Sequence, residues 1–146
     1  MDATQRRARA HQVIDSALEL VLAHDMAGFA ALWATEGTMT FPFAAPGAPE
    51  RLDGRAAVAA YVAGYNDLLM PTEIVEQTRH ETADPDTIVL EFALAGTVAA
   101  TGRPYTLRYV SVITVDEKGI TAYRDYWSPA AAADLLGTPG LPAQSA

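Results

Sequence analysis

The second half of the chain is divided by three short segments that favour chain reversal. Each combines proline or glycine with small polar or charged residues: Asp84-Pro85-Asp86, Thr101-Gly102-Arg103-Pro104 and Glu117-Lys118-Gly119. Between them, β-branched and aromatic residues alternate with polar ones, as in strands that bury one face. Because short reversals join antiparallel neighbours, this half predicts an antiparallel meander with strands at about 72–80, 87–100, 105–116 and 120–127.

The first half is predicted to be mainly helical. Apolar residues recur at three- and four-residue spacing over residues 4–23, which indicates an amphipathic helix. Proline, glycine and capping residues place the other boundaries. The other predicted elements are a helix after Asp25 with Trp33 on its buried face, an extended piece at 38–43, a loop at 44–52, a helix from Asp53-Gly54 to Pro71, and a helix from Ser128-Pro129 to Gly137.

These elements predict a single α+β domain over residues 1–137. Helices followed by an antiparallel meander favour one curved sheet folded around a helix, which makes a cone with an open mouth. Residues 138–146 contain two prolines and little to bury, so we expect a flexible C-terminal tail.

The composition narrows the classes of partner and cofactor. The formal charge is −8, so nucleic acid and anionic membrane, which need clustered cations, are not predicted as partners. Cysteine is absent, and the three histidines lie on separate predicted elements with no acid at ligand spacing, so no metal is predicted. No phosphate-binding or dinucleotide motif occurs, so no cofactor is predicted. No apolar run approaches ~18 residues, and we expect a cytoplasmic protein.

Asp125 is the one acid in an aromatic stretch of the last predicted strand. Alternation places it on the same face as Tyr123 and Trp127. If that face is the inner one, an apolar environment disfavours the charged carboxylate and raises its pKa. The pattern therefore indicates a pocket for a small apolar molecule with one candidate acid/base group.

The two tight turns allow the strand register to be estimated. Asp125 is predicted opposite Ser111, and Ser111 opposite Leu94, while Trp127, Tyr109 and Gly96 form the next row. Ser111 is then the nearest hydroxyl that could orient Asp125. In the alternative reading, Asp125 is a buried structural acid that Ser111 or a tyrosine hydroxyl satisfies.

Aromatic side chains are numerous enough to line a cavity as well as to fill a core. Most of them belong to the core, and a minority that lined a cavity would favour a flat apolar ligand. The candidate substrate-binding residues are Trp33, Phe41, Tyr61, Phe92, Leu94, Tyr109, Tyr123 and Trp127.

Four stretches carry a resemblance to the SnoaL-like and ketosteroid-isomerase-like branch of the nuclear transport factor 2 superfamily. They are Ala17 to Val21 followed by Asp25-Met26, Thr101 to Tyr105, Asp116 to Gly119, and Tyr123 to Pro129. The resemblance implies a cone-shaped, curved antiparallel sheet wrapped around the N-terminal helices, the cystatin-like roll. It also implies a homodimer through the convex sheet face, which would carry Ala93, Ala95, Val110, Val112 and Ala122.

The known activities of the superfamily carry over only in part. The functional groups of ketosteroid isomerase match Ala17, Phe41 and Ser111, so steroid-type chemistry is not predicted. Limonene epoxide hydrolase is similar through its closing acid, which matches Asp125, but its other groups fall on Thr40, Pro42, Phe92 and Leu94. The polyketide cyclase SnoaL and the phenazine biosynthesis A/B proteins carry an acid on the last strand, and Asp125 matches it.

Three functions stay open from the sequence. The first is a cofactor-free isomerase or cyclase in which Asp125 transfers a proton on a polyketide-like or aromatic intermediate. The second is a non-catalytic binding protein for an apolar metabolite. The third is an epoxide hydrolase or epoxide-opening cyclase, which needs a second carboxylate from Glu36, Asp53 or Glu73.

Overall fold

A computed structural model gives the fold and describes residues 1–136. The predicted helix end at Gly137 and the predicted tail at 138–146 lie outside the described residues. Within those residues, no helix is both long and apolar enough to cross a bilayer. In chain order the elements are α1 (Ala3–Leu22), α2 (Met26–Ala31), β1 (Trp33–Thr40), β2 (Arg51–Asp53), α3 (Arg55–Val62), a 3₁₀ turn (Tyr65–Asp67), β3 (Leu69–Glu81), β4 (Thr87–Val98), β5 (Pro104–Asp116), β6 (Gly119–Trp127) and α4 (Pro129–Leu136).

The six strands form one sheet in the order β2-β1-β6-β5-β4-β3. Strands β3 to β6 are the predicted antiparallel meander, and α1 packs against β3, β4 and β5. The α+β prediction is therefore confirmed. The sheet is not wholly antiparallel, because β1 arrives from the helical half and pairs in parallel with β6.

Three local predictions in the first half are wrong. Trp33 lies not on the buried face of α2 but at the start of β1, opposite Ile120 of β6. The predicted loop at 44–52 includes the start of β2, which pairs with β1. The helix predicted to reach Pro71 ends at Val62, and Pro71 lies in β3, opposite Gly96 of β4. In each case the residues pair with a strand that is distant in the sequence, and a local pattern does not contain that partner.

The predicted register is right between β5 and β6 and wrong between β4 and β5. Asp125 lies opposite Ser111 as predicted. Ser111 lies opposite Leu90 and not Leu94, and Tyr109 lies opposite Phe92 and not Gly96. The side chains keep their predicted faces, since the error of four residues is even.

The position of the β4–β5 turn explains this error. The turn runs from Val98 to Gly102 and so begins earlier than predicted. The Gly102 amide donates to the Val98 carbonyl at 2.7 Å, and Gly102 has a φ of 71°. Pro104, predicted as part of the turn, is the first residue of β5 and lies opposite Thr97. Proline is tolerated at that strand position.

The backbone of β3 leaves no space for a side chain at Gly96. A Cβ at Gly96 would lie 2.1 Å from the Met70 carbonyl oxygen and 2.7 Å from Pro71 Cα. Glycine is required there because β3 bulges against β4.

The first turns of α1 are fixed to the β3–β4 turn. Arg6 donates two hydrogen bonds to the Asp86 carboxylate, at 2.9 and 2.7 Å. Arg7 donates to the Thr82 carbonyl at 3.0 Å. These contacts orient α1 so that its apolar face, which includes Ile14 and Leu18, packs into the core.

Candidate active site

Asp125 lies on the sheet face that packs against α1, which we call the inner face. Alternation along β6 places it between the buried Tyr123 and Trp127. Only 4% of Asp125 is exposed. The inward orientation that the strand pattern predicts is therefore present.

A small cavity of about 40 Å³ separates Asp125 from α1 and α2. Its lining is apolar apart from Asp125 and the three tyrosines Tyr65, Tyr109 and Tyr123. At ~10–15 Å³ for each water, the cavity has room for roughly three. The remaining lining residues are Ile14, Ala17, Leu18, Val21, Met26, Phe29, Met39, Leu90, Phe92, Leu94 and Ile113.

The electrostatic environment favours the neutral form of Asp125. Within residues 1–136 its carboxyl makes no hydrogen bond, and no cationic side chain lines the cavity. Burial therefore raises the pKa of Asp125 from its ordinary 3.8 to about 8. At neutral pH most molecules carry the protonated carboxyl, which can donate a proton, and a minority carry the carboxylate, which can accept one.

The prediction that Ser111 orients Asp125 is wrong in its geometry. The fully buried Ser111 Oγ donates instead to the hydroxyl of Tyr123, at 3.0 Å. Ser111 and Asp125 are opposite on neighbouring strands, but the phenol oxygen is the acceptor that Ser111 reaches. The alternative reading, a structural acid satisfied by Ser111 or a tyrosine, also has no hydrogen bond to support it in the described part of the chain.

The Ser111–Tyr123 hydrogen bond gives a first prediction. Ser111→Ala is expected to lower the free energy of unfolding by about 1–3 kcal/mol, because it leaves the buried Tyr123 hydroxyl without its donor. Tyr123→Phe should act similarly, and the double variant should lose less than the sum of the two. Urea unfolding of the four proteins measures this, and strict additivity would contradict the bond.

A larger concavity lies elsewhere, on the outer sheet face. It is an open groove of about 950 Å³ with Glu76, Glu91 and Arg108 among its lining residues. Asp125 does not line it. We place the candidate site in the smaller inner cavity, because it contains the desolvated carboxyl of Asp125.

Metal binding requires ligand side chains that converge. Within residues 1–136, no three side chains of histidine, aspartate or glutamate lie close enough together to hold a metal ion. His80 and His11 instead pair with Glu91 and Glu81 on the surface.

Comparison with protein families identifies this fold and places the cavity in context. The model of the SnoaL-like domain matches residues 14–123. The chain belongs to the SnoaL-like family. The match begins within α1, continues through β5 and ends in β6, two residues before Asp125, so it assigns no role to that acid.

Relatives of this SnoaL-like chain share most of its length. The uncharacterized protein YesE of Bacillus subtilis is 32% identical over 129 residues, which cover 88% of each chain. An uncharacterized PhzA/B-like protein of Pseudomonas aeruginosa is 30% identical over 128 residues, covering 88% of this chain and 90% of the relative. The crystal structure of a candidate isomerase from Bacillus subtilis is 31% identical with a TM-score of 0.84, over 94% of this chain and 96% of that one.

Four of the eight predicted substrate-binding residues line the cavity of the SnoaL-like domain: Phe92, Leu94, Tyr109 and Tyr123. Phe92 and Tyr109 stack on one another, with ring centroids 5.1 Å apart. Tyr123 forms the wall beside Asp125. Leu94 lines the cavity although its predicted strand partner was wrong.

The other four predicted residues do not line the cavity. Trp33 is fully buried in the core and stacks on Tyr123, with centroids 5.3 Å apart. Phe41 packs on Tyr61 at 5.0 Å. Trp127 faces the grooves around α4. Their large rings fill the structure, as most buried aromatic residues do.

Sequence reasoning missed Tyr65 as a polar group of the site and the buried Tyr105 near it. Tyr65 belongs to the 3₁₀ turn after α3 and lines the cavity. Tyr105 is buried on β5, on the same face as Tyr109. The spacing of four residues between Tyr105 and Tyr109 was the available signal, since it places both rings on one face of a strand.

Proposed function

We propose that this chain is a cofactor-free isomerase or cyclase that transfers a proton on a small apolar molecule, with Asp125 as the acid/base group. The observation that carries the proposal is a buried carboxyl facing an apolar cavity without a hydrogen bond or counter-charge among residues 1–136. Buried structural acids are ordinarily paired. An unpaired buried acid destabilises the folded state, so it is a candidate for a functional role.

The proposed chemistry needs only one ionisable group. The pKa of the Asp125 carboxyl, about 8, is close to the pH at which the protein would work. The group can therefore take up a proton and return it. Positioned proton transfer contributes ~10²–10⁴-fold to a rate. The cavity would supply orientation and exclude water. Names of relatives such as candidate isomerase and PhzA/B-like protein support this class of reaction.

The cavity volume limits the substrate. An apolar cavity of ~150 Å³ binds benzene, and the cavity here measures about 40 Å³. A molecule of a few heavy atoms fits without rearrangement. The polyketide-like or aromatic intermediate that the resemblance suggests would require lining side chains such as Leu18 and Phe92 to move apart.

Of the two alternatives, the epoxide route is disfavoured by geometry. Glu36, Asp53 and Glu73 are all exposed, and none lines the cavity. The second carboxylate that this route requires is therefore missing from the cavity of the described chain. A binding protein for an apolar metabolite is favoured by the small, mainly apolar cavity and by the single carboxyl that lines it.

Proton exchange separates the enzyme from the binding protein. Acetone in D₂O, followed by ¹H NMR, reports the transfer of α-protons to solvent without any knowledge of the natural substrate. Catalysed exchange that Asp125→Asn abolishes supports the enzyme. Acetone binding without exchange, unchanged in Asp125→Asn, would support the binding protein.

We further propose that the chain forms a homodimer through the outer sheet face. Val110, Val112 and Ala122 lie there partly exposed, and Phe43, which is 62% exposed, packs edge-on to Tyr126 beside them. Ala93, predicted for the same face, is fully buried within the chain. Burial of such a patch in a second copy removes apolar surface from water.

This proposal predicts that Val110→Glu converts a dimer into a monomer, because a charge opposite its own copy repels. Light scattering after gel filtration measures the mass of each form. Thr106→Glu is the matched control, because Thr106 is an exposed residue of β5 that precedes Val110 by four positions. A wild-type mass of one chain would contradict the dimer.

A further inference from the structure

We propose that a compartment beside α4 holds the apolar body of the substrate while its reacting end lies beside Asp125, so that the substrate is an elongated, uncharged molecule. The compartment measures about 220 Å³. The proposal rests on the proposed function for its reaction and adds the class of substrate. It concerns residues that the role of Asp125 does not use.

The compartment forms where β6 ends. Trp127, the last residue of β6, lies opposite Tyr109, so residues 104–108 of β5 extend beyond the paired part of β6. α4 follows β6 and packs against β5. The compartment lies between α4 and β5, and Leu107, Tyr109 and Trp127 form its wall on the side of the sheet.

The small side chains of α4 explain why this space is not filled. Residues 130–133 of α4 are four consecutive alanines, and two of them, Ala131 and Ala132, line the compartment. Short side chains leave a void where the surrounding structure does not collapse onto them. Ser128 and Ala131 are exposed and line the compartment, so a molecule can enter from solvent at that point.

The compartment adjoins the cavity beside Asp125. Tyr109 lines both spaces. Leu107 of the compartment lies opposite Leu94, which lines the cavity. Trp127 is two residues from Asp125 on the same inner face of β6, which corresponds to about 7 Å. Tyr109 is therefore a shared wall, and displacement of its side chain joins the two spaces.

The size and charge of the compartment define the apolar body. An apolar cavity of ~150 Å³ binds benzene, so a compartment of about 220 Å³ accommodates a ring with a short alkyl extension. Arg108, the charged residue of the lining, lies on the outer sheet face, where it pairs with Glu76. The indole of Trp127 is a suitable neighbour for a flat ring. The compartment therefore suits an uncharged ring or alkyl chain.

A second space also removes the conflict between the cavity volume and a larger substrate. The cavity beside Asp125 measures about 40 Å³ and takes a few heavy atoms. A molecule with a ring next to a short reacting group can divide between the two spaces. Its ring then lies beside Trp127, and its reacting carbon lies beside Asp125.

The test compares acetone with 4-phenyl-2-butanone on the full chain. Both molecules have a methyl ketone end with exchangeable protons, but the second also carries a phenyl body. Calorimetric titration of the wild type should give a dissociation constant for 4-phenyl-2-butanone roughly 10–10²-fold lower than that for acetone, the range for burial of a phenyl group. Equal dissociation constants would overturn the proposal.

Three variants locate the phenyl body. Ala131→Trp fills the compartment and should remove the gain in affinity. Ala130→Trp is the matched control, because Ala130 is exposed on the same helix and does not line the compartment, and it should keep the gain. Phe43→Ala, in the outer groove, should also keep it. Loss of the gain in Phe43→Ala, or an equal loss in both tryptophan variants, would overturn the proposal.

A second measurement does not depend on the direction in which the added indole of Ala131→Trp points. Bound 4-(4-bromophenyl)-2-butanone should quench the fluorescence of Trp127, because bromine quenches an indole that it contacts. Trp33, the other tryptophan, lines neither space, so Trp127→Phe should lose the quenching. If Ala131→Trp keeps the gain in affinity, quenching of Trp127 in the wild type supports the proposal and its absence overturns it.

The outcomes also separate this proposal from the proposed function. In Asp125→Asn the gain in affinity should persist while α-proton exchange is lost. If exchange depends on Asp125 but 4-phenyl-2-butanone binds no more tightly than acetone, the compartment is refuted and the proton-transfer function stands. If the gain and the quenching are present but the wild type exchanges no α-protons, the proton-transfer function is refuted and the compartment stands as a binding site for an apolar molecule.

Discussion

Asp125→Asn is expected to make the protein more stable than the wild type at pH 9 and of similar stability at pH 4. The reason is the cavity, which gives the ionised carboxylate neither water nor a partner among the described residues. Asparagine has a similar shape and no charge to desolvate. The difference in the free energy of unfolding should reach several kcal/mol, with an upper limit of roughly 6 kcal/mol if the whole pKa change is realised.

The direction follows from proton linkage. The pKa of Asp125 is about 8 in the folded protein, against an ordinary value of 3.8. Between these values the folded state binds more protons than the unfolded state, so stability falls as the pH rises. The loss begins near pH 4 and is complete above about pH 8. Asp125→Asn removes this loss and leaves the other titrating groups in place.

Urea unfolding at a series of pH values measures the difference. Asp67→Asn is the matched control, because Asp67 is an exposed acid of the 3₁₀ turn and should show no such pH dependence. Equal stability differences for Asp125→Asn at pH 4 and pH 9 would contradict the desolvated carboxyl.

Asp125→Asn is also expected to lower the rate of α-proton exchange in acetone by ~10²–10⁴-fold, the range for loss of a positioned acid/base group. Asparagine fills the same space but cannot accept the proton. The wild-type rate should rise with pH and level off above about pH 8, as the carboxyl ionises. The variant should lack that inflection.

The stability prediction makes the activity prediction easier to interpret. Because Asp125→Asn is expected to fold at least as well as the wild type, lost exchange cannot be ascribed to unfolding. Glu91→Gln, on the outer face of β4, is the matched control and should retain full exchange. Retained exchange in Asp125→Asn, in a folded protein, would reject the catalytic assignment.

Much of the fold was predictable because it depends on short-range patterns. Alternation and turn residues gave β3 to β6 and the inward direction of Asp125, and the tight turn at 117–119 gave its position opposite Ser111. The parallel pairing of β1 with β6 was not predictable, since it joins segments about 85 residues apart. The predicted β4–β5 register was wrong because several neighbouring residues favour reversal there, so the sequence does not fix the position of the turn.

The candidate site was predictable only as a location. The sequence places Asp125 and Tyr109 on the inner face, but a hydrogen bond depends on side-chain direction. Ser111 therefore bonds to Tyr123 and not to Asp125, although it lies opposite Asp125 on the neighbouring strand. Cavity volume likewise depends on how α1 packs, which no residue pattern specifies.

The most direct test of the account is the titration of the Asp125 side chain itself. Aspartate labelled with ¹³C at Cγ gives one carboxyl signal for each residue, and the signal missing from Asp125→Asn identifies Asp125. We predict a midpoint at about pH 8. A midpoint at or below the ordinary 3.8 would mean a solvated or paired carboxylate and would contradict the account.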